Sequence, residues 1–434
     1  MIIRKLLVFR MINNRLSLNT IANKLKETGF MHIFGSGIIN QMVSFLIGII
    51  LVRIISKVDY GIYSYTNNIM SFFLLFSGFG IVSGVLQICS EQQNKSYLAL
   101  KIYKFGFRIG FLVNILLSLI IFIFSIFVDL PIRGANELLS IMSILPLFTI
   151  FYELIQIYFR YNKLNKKYSY FASTNTIIIL IFSIIGGILW SVKGLIIFRY
   201  FGYIVSIIIG ILILRFPFIK IKKRESFAEV NKSDLYKLSF ISMANNATGH
   251  LIYILDIFII GLIIPNETII ASYKVATIIP NALVFIPGSL MVYLYPYFAQ
   301  HNGDKQWVKE KFQLILNYFG LFNLLISTVL IIFAPIIISL IFGEQYLDAV
   351  LPFRLLSLGY LISSTFRKVV GNLLVTQRRL KFNFWLGIFE GILNIVLNII
   401  LVTSFGSVGA AVSSLIVVTL SSIIGVRYFI KVIS

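Results

Sequence analysis

Acidic charge is scarce in this chain. Its 434 residues hold 16 Asp and Glu against 38 Lys and Arg, and charged residues make up only 12% of the total, too few to clothe the surface of a soluble protein of this length. Cysteine occurs once, at Cys89, which excludes an intramolecular disulfide. The histidines His32, His250 and His301 are far apart and offer no metal-ligand spacing, so no metal site is expected. No GxxxxGK[ST] loop is present, so the chain does not hydrolyse ATP by itself. Neither a nucleophile elbow nor paired soluble carboxylates supply catalytic machinery, and the chain is not expected to be an enzyme. No cofactor is expected, with coupling to a proton or a sodium ion left open. The net charge of +22 has no soluble domain to carry it, and nucleic acid is not an expected partner.

What the chain has is apolar length. It is 58% hydrophobic, with a mean hydropathy of +0.93. A spanning helix needs ~20 predominantly apolar residues. Runs of that length predict spans at 31–53, 60–88, 105–128, 136–159, 168–190, 194–215, 236–264, 267–298, 311–341, 349–376, 382–403 and 406–430. Their continuity excludes an outer-membrane barrel, whose strands would alternate at period two. The chain is therefore predicted to be an all-α polytopic membrane protein with about 12 transmembrane helices. No signal peptide is apparent. Residues 1–30 are basic, and Leu18, Ile21, Ala22 and Leu25 share one helical face, which predicts an amphipathic segment on the cytoplasmic surface.

Lys and Arg set the orientation. Alternate loops hold 29 of the 38 basic residues. The opposite loops hold Lys57, Arg133 and Lys193, with Arg53 and Arg354 at their edges. So large a bias on an even number of spans puts both termini in the cytoplasm, and it draws the protein to anionic membrane lipids.

The most polar internal stretch, Arg215 to Lys237, lies at the chain midpoint. It divides the chain into a first lobe (31–215, spans one to six), a linker (216–235) and a second lobe (236–434, spans seven to twelve). Sliding one half over the other at an offset of 214 places Glu153 on Arg367 and Lys167 on Lys381, and at 215 Gly194 on Gly409. At 210, Tyr63 falls on Tyr273. Two six-helix halves that both start in the cytoplasm are parallel repeats, related by an axis along the membrane normal with a cavity between them.

Ionisable residues inside the apolar runs mark the work of that cavity, because an intramembrane charge costs roughly 2.5–3.5 kcal/mol on insertion scales. They are Glu153, Arg199, Asp256, Lys274, Arg367, Lys368 and Glu390, mostly basic, which points to an anionic ligand. Lys274, Arg367, Lys368, Arg199 and Arg53 are candidate ligand cations, with the snorkelling alternative open for Arg53 and Arg199. Asn246, Tyr253 and Asn281 fall on polar stripes of the seventh and eighth spans. Asp256, Glu153, Glu390 and His250 are candidates for coupling or gating. Asp256 and Lys274 are expected near enough to pair. Glu153 and Arg367 are expected to face each other as an inner gate, with Glu390 as the rival partner. Pro280, Pro287 and Pro296 predict bends in the eighth span.

Certain segments carry a resemblance. LVRIISKVDYGIYSY (Leu51 to Tyr65) is followed by SGFGI, LDIFIIG (Leu255 to Gly261) by ASYKVATIIP, and LIFGEQYLDA (Leu340 to Ala349) by FGSVGAAVSS. In order and spacing the chain resembles the O-antigen and polysaccharide flippases of the multidrug/oligosaccharidyl-lipid/polysaccharide exporter superfamily, from about residue 30 to the end. The resemblance implies two six-helix lobes in a V shape, like the multidrug exporters. It also implies a bacterial inner-membrane protein that moves an undecaprenyl-diphosphate-linked oligosaccharide from the cytoplasmic to the periplasmic leaflet by alternating access, with polysaccharide polymerase machinery as a further partner. Asp256 matches the family's seventh-helix Asp in position. A drug antiporter on the same fold is the alternative; it needs an acidic cavity, whereas the first span here offers Asn40, Gln41 and Ser44. A membrane-embedded glycosyltransferase or ligase is the third reading, and the outer loops are too short for it.

Overall fold

The computed structural model describes residues 30–92, 96–212 and 232–434. The amphipathic segment expected at 1–30 and most of the linker lie outside these. The described residues are helical, with no strand among them. The first half runs α1 (Phe30–Ile54), α2 (Lys57–Leu74), a tight turn at Ser77–Gly80, α3 (Ile81–Glu91), α4 (Ser96–Phe127), α5 (Ala135–Met142), α6 (Leu145–Tyr161) and α7 (Asn165–Leu212). The second runs α8 (Lys232–Ile263), α9 (Glu267–Leu283), α10 (Phe285–Gln300), α11 (Lys305–Ile332), α12 (Ala334–Ile341), a short turn at Glu344–Ala349, α13 (Val350–Ile362), a π-helical turn at Ser363–Arg367, α14 (Lys368–Thr376) and α15 (Leu380–Ile433). Nine continuous helical stretches among the described residues are long and apolar enough to cross a membrane.

Two of these stretches are hairpins. A straight helix of 48 or 54 residues, the lengths of α7 and α15, would be about twice as long as a bilayer is thick. Instead α7 breaks at Ser191 (φ 51°, ψ −137°) and α15 at Gly406 (φ 60°, ψ −140°). The arms then fold back so closely that a Cβ on Gly186 would lie 2.2 Å from the Gly194 carbonyl oxygen, and one on Gly409 2.0 Å from that of Leu401. The two breaks are 215 residues apart, the offset at which the sequence aligned Gly194 with Gly409. Left-handed residues also close α6 and α14, at Lys163 (φ 56°) and Arg378 (φ 58°), again 215 apart. Equivalent caps start α2 and α9: Ser56 accepts from the Asp59 amide (3.1 Å), and Asn266 from Thr268 (3.0 Å) and Ile269 (3.2 Å). The repeat is thus written in backbone turns as well as in composition.

The bends follow their chemistry. α9 and α10 meet at Val284, between Pro280 and Pro287; each proline removes a backbone donor and crowds the preceding turn. The second span breaks at Gly78–Gly80, where Asn114 of α4 accepts from the Gly78 amide (2.9 Å) and donates to Ser77 Oγ (3.1 Å) and the Pro146 carbonyl (3.1 Å). A buried asparagine thereby satisfies groups that the broken helix frees.

The two halves meet at one end. At the end with few basic residues a single apolar core joins both, with Tyr65 and Met70 of α2 packed alongside Ala271 and Tyr273 of α9 and with Phe342 and Phe353. Toward the basic end the core divides: one cluster holds Val85, Tyr103 and Phe159, the other Phe298, Leu373 and Phe429. The result is a V opening at the basic end. α8 leans across the opening, since its Leu235 joins the first-half cluster and Ser239 sits against Gly80 and Gly84.

Candidate functional site

α9 is the wall between two cavities. On one side Lys274 faces Ser64, Asn67, Asn68 and Ser71 of α2 and Ile254 of α8 across a pocket of about 370 Å³. On the other, Tyr273, Thr277 and Asn281 face a cavity of about 860 Å³ within the second lobe, lined also by Asn246, Asp256, Arg367, Lys368 and Glu390. Residues one apart on a helix point about 100° from each other, which is why Tyr273 and Lys274 serve different cavities.

That geometry corrects one expected pair. Asp256 does not meet Lys274. Its carboxylate accepts from the Tyr273 hydroxyl (2.6 Å), Ser414 Oγ (2.6 Å), Asn398 Nδ2 (2.9 Å) and Asn394 Nδ2 (3.1 Å). Four donors replace water around a buried anion, as burial requires. Lys274 makes no side-chain hydrogen bond or ion pair among the described residues.

The expected inner gate is also rearranged. Arg367 is paired with Glu390, not Glu153: its Nε and Nη2 both donate to the Glu390 carboxylate, the second at 3.2 Å. This fork-to-carboxylate geometry is the strong form of an ion pair. Arg367 ends the π-helical turn Ser363–Arg367, a distortion that recurs at functional sites. Asn323 of α11 braces the turn, donating to Thr365 Oγ1 (3.1 Å) and accepting from the Tyr360 hydroxyl (3.0 Å). Glu153 lies on α6 beside Tyr152, with no hydrogen bond or ion pair among the described residues.

Arg53 is not a cavity residue. It projects from the end of α1 to the end of α12 in the other half, donating to the carbonyls of Ile341 (2.9 Å), Ser339 (3.4 Å) and Leu340. Its neighbour Lys57 reaches both Asp348 oxygens (2.9 Å each) and the Gln345 carbonyl (2.6 Å), and Ser272 also donates to Asp348 (2.7 Å). Together they latch the two halves at the basic-poor end. Arg199 lies among Tyr63, Tyr200 and Tyr203 in the first half. The side chains of His250 and Tyr253 lie outside the described residues.

The sequence reading overlooked Tyr273 and Ser414 as partners of Asp256, and the latch residues Lys57 and Asp348. Asn394 and Asn398 are four residues apart in the sequence and so share a helical face with Glu390, and that spacing is the available signal for an acceptor opposite them.

Comparison with known proteins agrees with this architecture. Residues 50–351 match the family model described as "Polysaccharide biosynthesis protein". A probable low-salt glycan biosynthesis flippase from Haloferax volcanii is 23% identical over 215 residues, covering 49% of this chain and 44% of that protein; the match thus spans less than half of the relative. Among solved structures, an inward-facing multidrug resistance MATE family transporter of the MOP superfamily has a TM-score of 0.73 at 12% identity, covering 91% of this chain and 94% of the other. The lipid II flippase MurJ in an inward closed conformation has a TM-score of 0.69 at 18% identity, covering 92% and 86%. The structural similarities show the shared fold, and the family match covers well over half of the chain: it belongs to the polysaccharide biosynthesis protein family.

Proposed function

We propose that the protein is a flippase for a lipid-linked oligosaccharide. In this reading it carries an undecaprenyl-diphosphate-linked unit of the O-antigen type from the cytoplasmic to the periplasmic leaflet of a bacterial inner membrane. The observation that carries the proposal is Lys274: a half-buried ammonium with no acceptor of its own among the described residues, in a pocket between the halves lined by hydroxyls and amides. A diphosphate does not cross ~30 Å of hydrocarbon unshielded, and a buried cation substitutes for its lost solvation. A lysine is adequate as a point charge for phosphate. The pocket's Ser64, Asn67, Asn68 and Ser71 supply hydrogen bonds beside it. The V opening at the basic end fits loading from the cytoplasmic side, with both termini there. The lipid tail stays in the bilayer, so no apolar pocket has to enclose it.

Proton or sodium coupling belongs to the same proposal, with Asp256 as its centre. It is the buried carboxylate whose donors come from α9 and from both arms of the α15 hairpin, so its charge state bears on how those elements pack. Anionic lipids and polysaccharide polymerase machinery are the proposed partners. A drug antiporter is less well supported: a cationic drug would meet the ammonium of Lys274 in the pocket between the halves.

The test is a strain lacking the gene. Loss of surface polysaccharide, with unpolymerised lipid-linked units retained on the cytoplasmic face, is the expected result. Intact polysaccharide with altered sensitivity to cationic toxins would overturn the proposal.

A further inference from the structure

The larger cavity is charge-balanced. Its described lining carries two cations, Arg367 and Lys368, and two carboxylates, Asp256 and Glu390. Arg367 is committed to Glu390 through two of its nitrogens, and the Glu390 side chain is only 8% exposed. Asp256 is filled by four donors. Much of the remaining polar lining consists of amides and hydroxyls, among them Asn281, Asn383, Tyr360 and Ser421. Asn383 donates to the Gly371 carbonyl (2.7 Å), while its Oδ1 is buried with no donor among the described residues. A buried acceptor in a cavity wall calls for a ligand that donates. A sugar hydroxyl does so, and a carboxylate does not.

We infer that this cavity receives the glycan, that it selects an uncharged oligosaccharide, and that Glu390 is the residue that sets this selectivity. The inference rests on the flippase reading above and adds the class of sugar to it. A hexuronate entering the cavity would have to take Arg367 from Glu390, leaving that carboxylate buried and unpaired, draw Lys368 away from the interaction it already makes, or sit unpaired beside two carboxylates. Each of these arrangements is penalised when water is absent. A neutral sugar keeps the Arg367–Glu390 pair intact and exchanges its water for amides and hydroxyls. Selectivity then comes from what the site rejects as much as from what it grips. The diphosphate, the one obligatory charge of the ligand, is met outside this cavity, at Lys274 on the opposite side of α9.

The experiment is competition binding to the purified full chain in nanodiscs with three probes. These are undecaprenyl diphosphate alone, the same lipid bearing a neutral disaccharide, and the same lipid with the terminal hexose oxidised to a hexuronate. The wild type is expected to hold the neutral probe at least about tenfold more tightly than the acidic one, because like-charge contacts are strongly disfavoured. Glu390→Gln frees Arg367 and should narrow or invert that ratio, whereas Glu390→Asp, which keeps the carboxylate, should retain it. Equal or tighter binding of the acidic probe by the wild type, with the bare diphosphate still competing, overturns the inference and leaves the flippase reading standing. An unchanged ratio in Glu390→Gln overturns the role of Glu390. Should that variant not fold, the wild-type ratio and Glu390→Asp decide alone. Failure of all three probes to bind removes the flippase reading and the inference together.

Discussion

Lys57 and Asp348 join the two halves of the molecule across its basic-poor end, the lysine ammonium lying 2.9 Å from each carboxylate oxygen. The Lys57 side chain is only 17% exposed, and Ser272 of α9 shares the same carboxylate. The repeat does not reproduce this contact: Lys57 corresponds at the 210-residue offset to Glu267, of opposite charge. The latch is therefore one-sided, a departure from symmetry at the end where the halves meet.

Breaking the latch should shift the conformational balance. Lys57→Ala or Asp348→Asn is expected to cost the closed, basic-poor end about 1 kcal/mol, roughly a fivefold change in population. Spin-label distances across that end should show a larger open fraction in either variant. The swap Lys57→Asp with Asp348→Lys should recover part of the closed population. Unchanged distances in both single variants would show that the latch contributes nothing.

The Asp256 cluster should be the most sensitive polar site for stability. Asp256→Ala leaves Asn394, Asn398, Tyr273 and Ser414 without their acceptor, and orphaned buried donors cost about 1–3 kcal/mol each before relaxation. Thermal unfolding in detergent should show a large drop in Tm. Ser414→Ala, which removes one donor of four, should cost about 1 kcal/mol. A Tm for Asp256→Ala equal to wild type would contradict the network's structural weight.

The crossing of α2 and α9 should tolerate no side chain at Gly61. A Cβ there would lie 1.9 Å from the Glu267 carbonyl oxygen, a backbone atom that does not swing aside. Gly61→Ala should destabilise by about 1–3 kcal/mol, read as lower Tm and lower yield in the membrane. Gly391→Ala, where a Cβ meets nothing within 4 Å, should not destabilise.

The apolar runs carried most of the fold in the sequence, because a bilayer imposes length and hydrophobicity on every span. The hairpin breaks were legible too, as the interruptions at 191–193 and 404–405 that separated predicted spans, the first containing Ser191 and the second ending just before Gly406. Side-chain partnerships were less so. Depth and repeat position suggested Asp256 with Lys274 and Glu153 with Arg367. One residue of helical phase decides otherwise: Tyr273 takes the face toward Asp256, so Lys274 turns to α2. Arg367 meets Glu390 because α14 packs on the start of α15 within its own half, and proximity within a half prevailed over correspondence between halves. Arg53 was read as a cavity or interface cation because its acceptors, backbone carbonyls 286–288 residues away, leave no mark in residue type.

Lys274 carries the central claim, and the most direct measurement is leaflet transfer. Purified protein is reconstituted into liposomes with a labelled undecaprenyl-diphosphate-linked disaccharide placed in one leaflet, and its appearance in the other is followed. Protein-dependent transfer that is lost in Lys274→Ala and largely kept in Lys274→Arg is the predicted result. Transfer that is absent with the wild type, or that proceeds unchanged in Lys274→Ala, would contradict the account.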